Sequence, residues 1–110
     1  PAWPVDRADA VVCVNMVHIS PWAATEGLFE GAGRILGSGS PLVLYGPFVE
    51  ADGELAASNR EFDLSLRTRD PDWGLRDVSD LDILGTVHGF LRTARHEMPA
   101  NNLTLVYRQR

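Results

Sequence analysis

The chain has 110 residues and a formal net charge of −5, which allows one domain with one modest core. Lys and Arg form no cluster, so the basic surface that nucleic-acid binding requires is not expected. No apolar run approaches the roughly 18–20 residues that span a bilayer, so we expect no membrane partner. The single cysteine, Cys13, cannot form an internal disulfide, which favours a reducing, cytoplasmic location.

Two short apolar runs with a helical pattern between them come first in chain order. Residues 10–14 and 42–45 lack polar alternation, which predicts strands buried on both faces, as in a parallel sheet covered by helices. Ser20 resembles an N-cap, with Pro21 at the first helical position, and Gly37 is placed to end the helix. The helix has one apolar face, made of Leu28, Phe29, Ala32, Ile35 and Leu36. Strand, helix and strand in this order predict one parallel βαβ unit.

Two further helices follow an irregular polar segment at residues 49–57. Residues 58–61 match a capping box, which predicts a helix over about residues 59–69. A similar capping pattern at Ser79 predicts the start of the next helix, and Gly89 is placed to end it. The inner face of that helix is expected to carry Leu81, Leu84 and Val87.

A pair of strands closes the pattern. Residues 91–98 mix apolar and charged side chains, which favours an exposed or edge strand, and residues 103–107 form the last apolar run. Only the turn residues 99–102 join the two strands, so they must be antiparallel neighbours. The sequence therefore predicts an α/β fold with four strands and about three helices.

Several segments of the sequence resemble one known family, in family order. They are Val-Val-Cys-Val-Asn-Met-Val-His-Ile-Ser-Pro-Trp at 11–22, Leu-Tyr-Gly-Pro-Phe at 44–48, Ser-Asn, Phe-Asp and Arg-Asp-Pro-Asp-Trp-Gly between 58 and 74, and Glu-Met-Pro-Ala-Asn-Asn-Leu at 97–103. The family is the class I S-adenosylmethionine-dependent methyltransferase-like group called domain of unknown function 938. The resemblance implies a partial Rossmann-like class I fold, in which residues 1–110 are the C-terminal part of a single methyltransferase-like domain.

The resemblance also implies S-adenosylmethionine as the cofactor of a longer parent protein. A class I cofactor site is held by a glycine-rich turn after the first strand and an acidic residue after the second. Gly31 and Gly33 fall inside a predicted helix, and Gly37 and Gly39 follow that helix, so none of them can form such a turn. We therefore expect that the N-terminal cofactor-binding half is absent here and that the 110-residue chain does not bind the cofactor alone.

Asn15, Met16 and His18 follow the first predicted strand, where a class I methyltransferase borders the methionine part of its cofactor and the acceptor. The resemblance implies cofactor binding for Asn15 and Met16; alternatively, Asn15 only caps the strand end and Met16 only packs. A neutral His18 could act catalytically by accepting a proton from an oxygen or nitrogen nucleophile. The other interpretation is a structural histidine bonded to the backbone.

Four residues are candidates for substrate binding: Trp22, Tyr45, Phe48 and Asn59. The aromatic residues fall near strand ends or a helix start, where they could wall a pocket, although aromatic side chains also dominate ordinary cores. Asparagines in loops more often form caps and turns than ligand contacts. No metal site is predicted, because the histidines are scattered and the cysteine is alone.

Three functions compete on this sequence. The leading hypothesis is that the parent protein transfers a methyl group to an unknown small-molecule or protein acceptor. The alternatives are a non-catalytic binding or regulatory protein, and a different nucleotide-using enzyme, against which the closing antiparallel pair counts. In the class I sheet the fourth strand pairs with the first, so we expect the exposed edge of the strand at residues 10–16 to favour a homo-oligomer.

Overall fold

A computed structural model describes residues 3–50 and 56–110 as a four-stranded sheet with three α-helices. The strands and helices, in chain order, are β1 (Val11–Val14), α1 (Trp22–Ile35), β2 (Pro41–Gly46), α2 (Ala57–Arg69), α3 (Val78–Val87), β3 (Phe90–Met98) and β4 (Asn102–Gln109). Residues 51–55 of the segment predicted to be irregular lie outside the described residues. Among the described helices, none is both long and apolar enough to cross a membrane.

The strands are arranged in the order β1-β2-β4-β3. β1 and β2 run parallel with Val11 opposite Leu42, which confirms the predicted βαβ unit. β4 runs antiparallel to both β2 and β3, and β3 lies at the edge of the sheet, so the closing antiparallel pair and the edge strand are also confirmed.

The core lies on one face of the sheet, beneath α1 and α3. All five residues of the predicted apolar face of α1 are buried, and so are Leu81 and Leu84 of α3. The rings of Phe90 and Tyr107 lie edge-to-face with that of Phe29, at centroid distances of 5.9 and 5.4 Å. These helices therefore cover the sheet face that carries Leu42, Leu44, Leu105 and Tyr107.

The second face of β1 is not buried, so the prediction of two buried faces is wrong for this strand in the described part of the chain. Val12 and Val14 keep 63% and 57% of their surface exposed, while Val11 and Cys13 are half-buried. In β2, buried Leu42 and Leu44 likewise alternate with half-buried neighbours. The apolar runs carry no alternation of their own, so the helices that pack on one face create the difference.

The N-cap residues predicted for α1 and α2 are also wrong. The Ser20 hydroxyl donates backwards to the Met16 carbonyl at 2.9 Å, and α1 begins at Trp22, after Pro21. α2 begins at Ala57, one residue before the expected capping Ser58, and has no side-chain cap. Tertiary contacts thus decide where these two helices start, because local capping signals are worth only about 1 kcal/mol.

The N-cap of α3 is Asp77, two residues before the predicted cap Ser79, and the helix begins at Val78. The Asp77 carboxylate accepts from the Ser79 backbone amide at 2.8 Å, which places buried Val78 in the first turn. Val87 is exposed, contrary to its predicted place on the inner face. Gly89 follows the helix with a φ of +86°, the left-handed conformation expected of a glycine that closes a helix.

A partly buried hydrogen bond connects the sheet to α3. The Tyr107 hydroxyl donates to Asp82 Oδ1 at 2.7 Å, and Arg92 binds the same carboxylate through Nε and Nη2. Burial raises the pKa of Tyr107, so its hydroxyl keeps its proton and acts as the donor. One carboxylate therefore joins α3, β3 and β4.

Tyr107→Phe is expected to lower the free energy of unfolding by about 1.5–3 kcal/mol, because it removes a partly buried hydrogen bond to a charged group. Urea denaturation of the two proteins measures this difference. Tyr45→Phe is the matched control, since the Tyr45 hydroxyl has no hydrogen bond to any described residue. Equal losses for the two variants would contradict the role given to the Tyr107–Asp82 bond.

Candidate functional site

The loops at the carboxyl ends of β1 and β2 lie side by side. The Asn15 amide donates to the Tyr45 carbonyl at 2.9 Å and so continues the strand pairing by one residue. A 3₁₀ turn at Val17–Ile19 then carries His18. The Pro99–Asn101 turn joins β3 to β4 at this same edge, because Gly46 of β2 pairs with Leu103 of β4. Ligands of open α/β sheets bind beyond this edge.

Backbone strain concentrates at the same edge. Within residues 3–50 and 56–110, the non-glycine residues with a left-handed backbone are Asn15, Ala100 and Asn101, with φ of 55°, 62° and 61°. Asparagine tolerates this conformation better than alanine, and each instance costs stability unless the surroundings impose it. Such strain collects at functional sites in many proteins, so it marks this edge as the candidate site.

His18 lies buried between the two strand ends, with 5% of its surface exposed. A Cβ added at Gly46 would lie 3.6 Å from His18 Nδ1 and 3.7 Å from Asn15 Oδ1. The side chains of His18 and Asn15 therefore both approach Gly46. The ring packs edge-to-face against Phe62 at 5.6 Å, and Nδ1 has no hydrogen-bond partner among the described residues. Burial lowers the pKa of His18, which keeps the imidazole neutral and able to accept a proton.

Hydrogen bonds from the loop between α2 and α3 stabilise the turn that carries His18. The Gly74 amide donates to the His18 carbonyl at 3.0 Å, and Arg76 Nη2 donates to the Ser20 carbonyl at 3.0 Å. Asp63 of α2 in turn accepts from the Leu75 amide at 2.8 Å. None of these residues was a predicted site residue, although the segment at 69–74 carried part of the family resemblance.

A cavity of about 280 Å³ lies at the same edge, between the start of α2 and the β3–β4 turn. It brings together two of the predicted substrate residues, Phe48 and Asn59. Asn59 Nδ2 donates to the Asn101 carbonyl at 3.3 Å, which ties α2 to the turn. The complete lining among the described residues is Phe48, Glu50, Ala56, Asn59, Arg95, Glu97, Met98, Asn101, Asn102 and Leu103.

The structure places the other predicted site residues elsewhere. Trp22 lines a surface groove beside α3, where the Arg76 guanidinium lies 5.7 Å from its ring centre. Tyr45 is half-buried on the open face of the sheet, beside Val14 in register. Met16 lines a groove along α1, and its sulfur accepts a hydrogen bond from Ser20 at 3.1 Å. These three side chains therefore lie outside the cavity that Phe48 and Asn59 line, and the residues that line it do not include Asn15 or His18 either.

The described residues do not by themselves fit S-adenosylmethionine. The turn after β1 contains Asn15 and Met16 rather than the glycine-rich sequence that lets the backbone approach a cofactor. Gly31 lies within α1, where a Cβ would stand 2.3 Å from the Trp3 ring, so its small size serves packing. The part of the chain that the structure describes thus offers one border of such a site.

A parallel βαβ unit followed by a closing antiparallel pair defines the C-terminal half of a class I methyltransferase fold. Human N-acetylserotonin methyltransferase, solved with S-adenosylmethionine, matches 96% of this chain and 30% of its own length, with a TM-score of 0.82 and 14% identity. CalO1, a methyltransferase of calicheamicin biosynthesis solved with S-adenosylhomocysteine, matches 96% and 31%, with a TM-score of 0.79 and 16% identity. An enzyme described as a pericyclic reaction enzyme matches 99% and 28%, with a TM-score of 0.82 and 13% identity.

The chain belongs to the family described as "protein of unknown function (DUF938)", whose model matches residues 2–109. The family resemblance seen in the sequence is therefore confirmed. The chain spans about a third of the length of the solved structures it matches, and at these identities the likeness is one of fold. Activity and cofactor do not follow from the fold alone.

Proposed function

We propose that this chain is the acceptor-side part of an S-adenosylmethionine-dependent methyltransferase, in which His18 takes up the proton that the acceptor loses. The observation that carries the proposal is the buried, neutral imidazole of His18, whose Nδ1 has no partner among the described residues. It lies beside Asn15 and Gly46 at the carboxyl edge of the sheet, where a substrate is expected. The two methyltransferases of the same fold, solved with S-adenosylmethionine and S-adenosylhomocysteine, support the choice of cofactor.

The chemistry of His18 follows from its surroundings. Bound S-adenosylmethionine would supply the methyl group, and the chain's own residues would hold the acceptor and manage its proton. An oxygen or nitrogen nucleophile becomes more acidic as it forms its new bond, and a neutral imidazole within hydrogen-bond reach accepts the released proton. Phe62 and the Gly74 amide fix the position of the ring and of its backbone, which favours transfer by prior orientation.

The proposal divides the cofactor site between two parts of a longer polypeptide. Residues 1–110 form the C-terminal part of a single cytoplasmic domain, and preceding residues provide the glycine-rich turn and the ribose-binding carboxylate. Asn15 and Met16 then border the methionine part of the cofactor, and Phe48 and Asn59 bind the acceptor. Trp22 and Tyr45 stay predictions as acceptor contacts, since both lie outside the cavity.

A comparison of cofactor binding by the full-length polypeptide and by the 110-residue chain tests the proposal. The full-length polypeptide that the gene encodes is expected to bind S-adenosylmethionine by calorimetry and to transfer a labelled methyl group to an acceptor in a cell extract. Asn15→Ala in that polypeptide is expected to weaken the binding. The 110-residue chain alone is expected to show no binding in the low micromolar range, which corresponds to about −8 kcal/mol.

Low-micromolar binding by the 110-residue chain would show that the division of the cofactor site is wrong. A full-length polypeptide that binds the cofactor but transfers no methyl group to any extract component would favour the non-catalytic alternative. An enzyme of pericyclic chemistry has the same fold, so the architecture does not by itself require methyl transfer.

A further inference from the structure

Asn59 lines the cavity and is buried, with 8% of its surface exposed. Its Nδ2 donates to the Asn101 carbonyl, and a carbonyl can only accept, so the orientation of the amide is determined. Oδ1 therefore remains as the acceptor atom, and it receives no hydrogen bond from any described residue. An amide oxygen in a residue that lines a cavity can accept a hydrogen bond from a ligand that donates one.

The charges around the cavity disfavour an anion. The Arg95 guanidinium is shared between Glu50, which it binds through both Nε and Nη2, and Glu97, whose carboxylate lies 3.3 Å from Nη2. The hydrogen bond from Arg95 lowers the pKa of Glu50, which keeps that carboxylate ionised. Two carboxylates thus face one guanidinium, so the described lining has an excess negative charge.

Four apolar residues form part of the remaining wall, beside Asn101 and Asn102. Phe48 and Leu103 are buried, and Ala56 and Met98 complete the apolar part of the lining. The left-handed residue Asn101 closes one side, and its side-chain amide also lies 3.4 Å from the Ser58 hydroxyl. A small apolar group can therefore pack against Phe48, Met98 and Leu103, while polar groups line the rest of the cavity.

We propose that this cavity recognises the acceptor as a small molecule with an apolar body and an alcohol or amine group that donates to Asn59 Oδ1, and that it discriminates against carboxylates. This inference rests on the proposed function, of which it names the substrate class. Asn59 is then a binding residue, and the Glu50–Arg95–Glu97 cluster sets the charge preference.

Three probes with the same aromatic body test the inference: benzylamine, benzyl alcohol and benzoate. Each is titrated into the full-length polypeptide without cofactor, and binding is followed through the side-chain amide resonances of Asn59. Benzylamine and benzyl alcohol are expected to bind and shift these resonances, and benzoate is expected to bind at least about tenfold more weakly, a difference of about 1.4 kcal/mol.

Two variants make the test specific. Asn59→Leu is expected to weaken the binding of benzylamine at least about tenfold, because it removes the acceptor atom. The NMR spectrum and the thermal unfolding of this variant show whether it folds. Glu97→Gln changes an exposed side chain and removes the excess negative charge of the lining. It is therefore expected to reduce the ratio of the benzylamine affinity to the benzoate affinity.

The inference is overturned if benzoate binds as tightly as benzylamine, if neither amine nor alcohol shifts the Asn59 resonances, or if Glu97→Gln leaves the preference unchanged. Unchanged benzylamine affinity in a folded Asn59→Leu protein also overturns it. These outcomes are separate from those for the proposed function. Benzylamine binding at Asn59 in a polypeptide that transfers no methyl group would contradict the methyltransferase assignment alone.

Discussion

Replacing His18 by asparagine in the full-length polypeptide is expected to lower turnover by about 10²–10⁴-fold, the range that general-base catalysis contributes. S-adenosylmethionine affinity, measured by calorimetry, is expected to stay close to that of the unchanged protein, because His18 is proposed to act on the acceptor. The matched control is His96→Asn, which makes the same change on the exposed surface of β3 and is expected to leave turnover unchanged.

The pH dependence of turnover separates a proton acceptor from a merely structural histidine. Burial lowers the pKa of His18 from its ordinary value of 6.5, so the imidazole is neutral at pH 7 and becomes protonated only below that value. Turnover is therefore expected to be level near pH 7 and to fall on the acid side of pH 6.5. Loss of activity in His18→Asn together with an unchanged acid limb would rule out His18 as the base.

The 110-residue chain alone is expected to scatter light as a dimer or larger species, or to precipitate. β1 lies at the edge of the described sheet, and Val12 and Val14 are 63% and 57% exposed on its open face. No proline or lysine interrupts residues 10–16, so the unpaired edge has none of the devices that usually prevent strand pairing between molecules. We therefore propose that this edge pairs either with a second copy or with a preceding segment of the polypeptide.

A charged double variant tests this proposal. Val12→Lys combined with Val14→Lys is expected to shift the 110-residue chain towards monomer in light scattering, because lysines on an edge strand disfavour pairing. Leu64→Lys is the matched control, since Leu64 is 69% exposed but lies on α2, away from the edge. A stable monodisperse monomer of the unchanged chain, with freely exchanging Val11–Val14 amides, would show that the edge is tolerated.

The sequence by itself determined the order of the elements and the apolar face of α1. The spacing of Leu28, Phe29 and Ala32 is a property of the helix period, so any burial of that helix places these residues inside together. The short Pro99–Asn101 turn leaves no length for a crossover, which makes β3 and β4 antiparallel. Each of these inferences depends on residues that are close in the chain.

Only the tertiary structure decided which face of β1 is covered, because an unbroken run of apolar residues has no pattern that distinguishes the two faces. It also decided the environment of His18, since the amide of Gly74, the ring of Phe62 and the space left at Gly46 come from three separate parts of the chain. The same holds for Asn59, whose partner Asn101 lies 42 residues away. The burial of both residues, the unpartnered Nδ1 of His18 and the bond from Asn59 to Asn101 arise only when distant segments pack, and they make His18 and Asn59 the candidate functional residues.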